Sequence, residues 1–475
     1  MKLRISPLVA TLLGVLVGCG GSVQSGVDTA VSTATDGGVG GSDAPATNPV
    51  SASDAGATEA APETAPNPVS TTYPAFKPDM PQLQNNGGSV LKTPTVVTVT
   101  WSSDANAAYY EAFGDGLSGS SYWKTIVGEY GVGDVVSGSA NHVSLTTAPP
   151  TSWADSDIAT WVAQQASSAT SGFPAPTGET IYVLYLPPGT SLQVSGAGTG
   201  GGGGDACMAG VGGYHQSATT SDGKTSFTYA VIPPCNFTGA VKDDATFAAS
   251  HEIGEAATDP FTDASSGSPT GFWGVDDAHL VWDIYMALNV ENGDMCEVYQ
   301  DSALRSTEKS LSGYALQRLW SNASAAAGHN PCVPVPSAPY FNVTPLDVKQ
   351  SSVDLSKTSL AAYGVTGTAV AEVIETPIGK PTTFTVGLYS DGPTDPWNIS
   401  VKQGSSFRPV TSPNFTFATD ISSGQNGQKA TITVTANTYP TSRRTMAKQN
   451  YAVIYVASTD ASGIEHDMPI LAHIP

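Results

Sequence analysis

The stretch "ASHEIGEAATDP", Ala249 to Pro260, decides how this chain is read. It opens like the helical metal motif His-Glu-x-x-His, with Glu255 where the second His belongs. Asp243 and Asp244 are suited to cap the start of a helix. Asp259-Pro260 is suited to end it, because a residue before proline is pushed out of the α region. On that helix His251 and Glu255 are four apart and share a face, with Glu252 beside them and Asp259 one turn on. Ala249, Ile253, Ala256 and Ala257 form the opposite, apolar stripe. In the two-His form the i and i+4 residues hold the ion, and the Glu after the first His acts as general base. A carboxylate at position 255 preserves this geometry. Zinc accepts Glu and Asp as ligands, and an oxygen-richer set also suits manganese or calcium. The expectation is a divalent-metal site on His251 and Glu255, with zinc first and Mn or Ca as alternatives, and Glu252 as base. The plainer alternative is a solvated helix face whose His–Glu pair contributes about 0.2–0.5 kcal/mol.

A third ligand is needed, and "ENGDMCEVY" supplies Glu291 and Asp294 soon after the helix, on a loop that Cys296 can pin. The alternative is a pair of turn carboxylates around Asn292-Gly293. His215, in a Gly-rich loop between Cys207 and Cys235, can stabilise an oxyanion across the cleft, serve as a ligand, or be purely structural. Asp276, Asp277, His279 and Asp283 fall nearby in sequence, but their spacing matches no ligand set. No Ser–His–Asp arrangement stands out.

Further out, the composition describes an exported protein. The 475 residues carry 19 Lys+Arg against 41 Asp+Glu, a formal charge of −22, which excludes a cationic nucleic-acid-binding surface. Charged residues are only 13%, while Gly (50) and Pro (34) are plentiful, as in strand- and loop-rich chains. "MKLR" and the apolar "LVATLLGVLVG" read as a signal peptide, residues 1–18. Leu16-Val17-Gly18-Cys19 looks like a bacterial lipobox, so Cys19 is expected to carry a lipid. With Gly at position 20, an outer-membrane lipoprotein of the bacterial envelope is expected. Residues 19–85 are poor in large apolar groups and read as a disordered tether. The run Gly200–Gly204 lacks a following Gly-Lys-Ser/Thr, so it reads as a flexible loop and not a phosphate cradle. The remaining cysteines, Cys207, Cys235, Cys296 and Cys332, are even in number and show no C-x-x-C spacing, which favours two disulfides. Three pairings are possible. The local ones, Cys207–Cys235 and Cys296–Cys332, are favoured.

Residues 86–335 alternate strand and helix signals: "TVVTVTW", "TIYVLYLP" and "SFTYAVIPPC" against "ANAAYYEAF", "SSYWKTIVGEY" and "ADSDIATWVAQQA". From 336 to 475, "TTFTVGLYS", "ATITVTA" and "NYAVIYVAST" predict an immunoglobulin-like β-sandwich with Trp397 and Tyr451 as core anchors and His466 at the surface.

The middle of the chain resembles the phosphate-induced (exordium-like) proteins and related secreted bacterial proteins. The resemblance rests on "GGSVLKTPTVVTVTW", Gly213-Tyr214-His215, "YAVIPPC", "SHEIGEAATDP", "GDMCE" at 293–297 and "LQRLWSNA". Plant members typically carry Asn-Pro where this chain has Asp259-Pro260. The resemblance implies a zincin-like α/β domain and a shared site of His251, Glu252, Glu255, Glu291 and Asp294. The expectation is an α+β chain: a metallopeptidase-like domain acting on a peptide or cell-wall substrate, then an all-β sandwich. The rival expectation is a non-catalytic surface adhesion or glycan-binding protein, with a structural metal or none.

Overall fold

The structure is a computed structural model that describes residues 68–194, 204–261, 269–288, 290–405, 408–410, 413–441 and 448–475. The signal peptide, Cys19, the tether up to residue 67 and Gly200–Gly203 lie outside the described residues.

The first unit is built on a five-stranded sheet of β1 (Thr95–Trp101), β2 (His142–Leu145), β3 (Thr180–Tyr185), β4 (Tyr214–Thr219) and β5 (Ser226–Ile232). Their order is β2-β1-β3-β5-β4, parallel except for the antiparallel pair β4/β5 at one edge. Four helices pack on it: α1 (Ala107–Leu117), α2 (Ser121–Val127), α3 (Asp155–Ser167) and α4 (Val241–Thr258). Alternate strand residues feed two cores. Ile181, Val183 and Tyr185 face Phe113, Trp123 and Ile253, so α1, α2 and α4 cover one face. Tyr182 and Leu184 face Ile158 and Val162, so α3 covers the other. Coverage of both faces explains the apolar run of β3. It also changes the reading of β1. The alternating Thr98 and Thr100 suggest a half-wetted strand, yet both are buried, and Thr100 donates to Glu111 Oε1 at 3.1 Å.

The second unit is a two-sheet sandwich. One sheet, wholly antiparallel, contains β6 (Phe341–Pro345), β9 (Pro381–Ser390), β11 (Phe415–Thr419) and β12 (Lys429–Ala436) in the order β6-β9-β12-β11. The other runs β7 (Lys349–Asp354), β8 (Thr368–Glu375), β14 (Glu465–His473), β13 (Tyr451–Thr459), β10 (Trp397–Ser405), with β8/β14 parallel. Trp397 and Tyr451 are buried, as expected. His466 is not at the surface. It is 2% exposed, donates from Nδ1 to the Phe341 carbonyl at 2.8 Å, and sits among Tyr299, Tyr340 and Phe341. The polar stretch "GIEHD" belongs to a strand covered on both faces, and polarity alone does not reveal that cover.

Two expected boundaries are not breaks in the packing. Residues 68–85, assigned to the tether by composition, join the fold. Leu83–Asn85 pairs antiparallel with Phe272–Val275, Phe76 packs on Gly387, and Met80 and Leu83 are buried. This Pro-rich segment has no core of its own and docks on one made by others. At residue 336 a single core runs across the junction, joining Trp282, Tyr285, Tyr299 and Trp320 to Phe341, Tyr389 and Ile454.

Candidate metal centre

Helix α4 is buried all round from Ala248 to Thr258, so the face carrying His251, Glu252 and Glu255 is not solvated. The plain charged-surface reading fails here. Asp243 and Asp244 lie inside the first turn and make no cap; Asp244 instead accepts from the Phe237 and Thr238 amides at 2.8 and 3.1 Å, tying down the incoming loop. The helix ends at Asp259, as expected, and the Asp259 carboxylate accepts from the Gly271 amide at 2.6 Å. Gly254 in the helix middle is a contact residue: a Cβ there would lie 2.4 Å from Leu319 Cδ2. Close packing offsets the roughly 1 kcal/mol that a mid-helix glycine costs.

Three elements bring the expected residues together. Helix α4 supplies His251, Glu252 and Glu255. Edge strand β4 supplies His215. The turn before and within the short helix Asp294–Glu297 supplies Glu291 and Asp294. His251 Nε2 lies 2.9 Å from Glu255 Oε2 and 3.8 Å from Asp294 Oδ1. His215 Nδ1 lies 3.2 Å from Glu252 Oε2 and 3.6 Å from Glu255 Oε2, while its Nε2 is 3.6 Å from Glu291 Oε1. Potential ligand atoms of His251, Glu255 and Asp294 lie within 4.8 Å of one another, as do those of His215, Glu255 and Glu291. All of these side chains are 0–2% exposed. Buried His, Glu and Asp groups at this spacing can hold a metal ion.

Both disulfides form in the favoured pairing, Cys207–Cys235 and Cys296–Cys332. One closes the loop leading to His215; the other fastens the turn of Asp294 to Cys332, on a strand paired with Leu319–Trp320. The glycines of the "GYH" and "GDMCE" stretches let the backbone approach. A Cβ on Gly213 would lie 3.0 Å from Glu252 Cγ, and one on Gly293 would lie 2.6 Å from His251 Nδ1. Gln317 carries no motif signal, although it falls within the "LQRLWSNA" stretch. Its Oε1 accepts from His251 Nδ1 at 2.8 Å, and its amide donates to the Gly293 carbonyl at 2.8 Å. This fixes the tautomer so that Nε2 faces the carboxylates.

The electrostatics are those of a locus short of positive charge. Burial, then the Glu255 charge, pushes both Glu291 and Asp294 well above the usual carboxylate range. Burial raises Asp259 to about 6. Burial also opposes ionisation of Glu255, but the His251 charge and hydrogen bond, with His215, overcome it and hold Glu255 low. Burial disfavours charged His215, and Glu252 with Glu255 outweighs it, so His215 titrates higher than usual. A cation entering here would take over the task that protons otherwise perform.

Asp276, His279 and Asp283 do not join this centre. His279 pairs with Asp276 at 2.7 Å and Asp79 at 3.2 Å, and Asp283 accepts from the Val275 amide at 3.3 Å. Among the described residues no helix is long and apolar enough to cross a membrane.

No family model and no curated protein matches the chain. Solved structures give weak likenesses. A Bacteroides ovatus GH5 xyloglucanase in complex with a heptasaccharide is 13% identical over 22% of this chain and 17% of its own, at TM-score 0.14. The SrpA adhesin of Streptococcus sanguinis is 9% identical over 27% of this chain and 59% of its own, at TM-score 0.15. A Listeria innocua β-glucosidase in complex with glucose is 9% identical over 83% of this chain and 48% of its own, at TM-score 0.13. In each case the match spans less than two thirds of the other protein, and at these scores none carries an argument about fold or activity.

Proposed function

We propose that this chain is an exported, metal-dependent hydrolase of peptidase type: a zincin-like domain joined to an immunoglobulin-like sandwich. The observation that carries the reading is the set His251, Glu255 and Asp294, within 4.8 Å of one another, with Glu252 beside them on the same helix but outside that set. Those three residues would hold the ion, zinc first by its tolerance of mixed nitrogen and oxygen donors. A bound divalent ion supplies carbonyl polarisation and a more acidic water. Glu252 is the proton acceptor: its Oε2 is 3.2 Å from His215 Nδ1, which steadies the carboxylate and can share its proton. Gln317 orients His251. A mixed sheet with an antiparallel edge strand beside the His-Glu helix supports the zincin-like part, and the quoted motifs support kinship with the exordium-like proteins. The substrate class is a peptide or a peptide-bearing cell-wall polymer.

Complete burial of the donors favours a second reading, because closed sites are where structural ions sit. In it the protein is a non-catalytic surface adhesion or glycan-binding module. The two are separated by Glu252→Gln in the full chain. The hydrolase reading expects metal content to persist and peptide hydrolysis to fall by about 100-fold or more. A fully metal-loaded wild-type protein that cleaves no peptide or cell-wall substrate would leave only the second reading.

The lipid anchor is part of the same proposal. Cys19→Ser is expected to move the protein from the membrane fraction to the soluble one. Unaltered fractionation would refute the anchor.

A further inference from the structure

The centre gathers five buried carboxyl groups around two imidazoles. Glu252, Glu255, Asp259, Glu291 and Asp294 are all 0–1% exposed, with only His215 and His251 among them to balance.

The donors also divide. A first-row ion binds nitrogen and oxygen at about 2.0–2.2 Å, so its ligand atoms lie no more than about 4.4 Å apart. Among the described residues the donors fall into two sets near that span, His251–Glu255–Asp294 and His215–Glu255–Glu291, which share Glu255 alone. The atom between them is Glu255 Oε2, 2.9 Å from His251 Nε2 and 3.6 Å from His215 Nδ1. Its partner oxygen, Oε1, is committed to the Asp294 amide at 3.0 Å. His215 Nε2, Glu291 Oε1 and Asp294 Oδ1 are buried and lack a hydrogen-bond partner among the described residues. Buried polar atoms are almost always satisfied. Three exceptions, spread over both donor sets around the Glu255 carboxylate, mark a place shaped for more than one cation.

We infer that the centre binds two divalent ions bridged by Glu255, one held with His251 and Asp294 and the other with His215 and Glu291. The inference rests on the metal-site reading above and extends it. His215 and Glu291 become ligands, and Glu255 becomes the residue on which both ions depend. Two-ion sites hold their metals roughly 3.5–4 Å apart and occur in aminopeptidases, where bound ions would polarise a carbonyl and make a water more acidic.

The test uses the full chain, stripped by chelation and loaded with Zn²⁺ alone or Mn²⁺ alone. Elemental analysis and calorimetric titration should give about two ions per chain, and the Mn²⁺ form should show an exchange-coupled resonance spectrum. Glu291→Gln, close to isosteric, should bind about one ion and show an uncoupled spectrum. Glu255→Ala should lose both. One ion per wild-type chain, with an uncoupled spectrum, overturns the two-ion inference and leaves the single-ion reading standing. No binding of either metal overturns both. Two ions retained by Glu291→Gln overturn the second ligand set. Should that variant fail to fold, wild-type stoichiometry and coupling decide the matter on their own.

Discussion

At Gly293 the backbone runs so close to the centre that one methyl group bears on whether the centre forms. A Cβ there would sit 2.6 Å from His251 Nδ1 and 2.8 Å from Glu255 Oε1, and both side chains are held on a buried helix with little room to yield. Gly293→Ala should therefore weaken metal binding by about 10-fold or more, at an overpacking cost of about 1–3 kcal/mol. Gly128→Ala is the control, since nothing lies within 4 Å of its added Cβ. Equal metal affinity in Gly293→Ala and wild type, by calorimetry, would contradict the close approach. Residue by residue, the sequence revealed what carries a motif and hid what does not. The i, i+4 spacing pointed to His251 and Glu255. It could not choose between Glu291 and Asp294, because they meet different histidines: Asp294 approaches His251 and Glu291 approaches His215. Gln317 was invisible because an orienting amide can come from any loop that folds back over the helix.

At the scale of elements, periodicity located the strands and helices and misjudged their cover. The helices expected near 105–113, 120–130 and 154–166 form at 107–117, 121–127 and 155–167. What α4, β1 and β14 hide is burial on the second face, since nothing in a strand or helix records what packs on its polar side. The short helix Leu280–Tyr285 shows a consequence. Burial raises the Asp283 carboxyl to about 7, and the nearby Asp276 and Asp277 charges add to that, against a weaker pull from the Val275 amide. Its unfolded value is near 3.8. Between about pH 4 and pH 7 the folded state keeps a proton that the unfolded state releases. The unfolded chain then binds fewer protons, and stability falls as pH rises through that window, by up to about 4 kcal/mol. Asp283→Asn removes the term. It should match wild type near pH 4 and exceed it increasingly toward pH 7, with no further gain above. Urea unfolding of both proteins at several pH values checks this, and a difference independent of pH would rule it out.

Across the whole molecule, the two units should melt as one. Trp282, Tyr285, Tyr299 and Trp320 precede the expected boundary at residue 336, are at most 1% exposed, and pack in the core that contains the sandwich. Tyr285 also donates to the Asp467 carboxylate of β14 at 2.6 Å. Residues 68–85 add a second tie, since Phe76 lies against Gly387 while Leu83–Asn85 pairs with Phe272–Val275. Fully burying one large apolar side chain contributes about 1.5–3 kcal/mol, so four aromatics approach the roughly 5–15 kcal/mol that separates a folded domain from its unfolded chain. A fragment cut at 86 and 335, where composition invites the cut, would strip them of the sandwich side of that core. It should lack a cooperative transition and bind hydrophobic dyes. The full chain should show a single calorimetric transition. The metal centre lies inside that unit: Met295 and Cys296, next to Asp294, belong to the shared core. A ligand that binds only the folded state raises its stability by about 2.7 kcal/mol at a hundredfold excess over Kd. Adding Zn²⁺ should thus raise the melting temperature recorded by sandwich aromatics such as Trp397, far along the chain from any ligand, by the same amount as that recorded by the first unit. Two resolved transitions, with only one of them shifted by metal, would mean that the common core does not couple the halves.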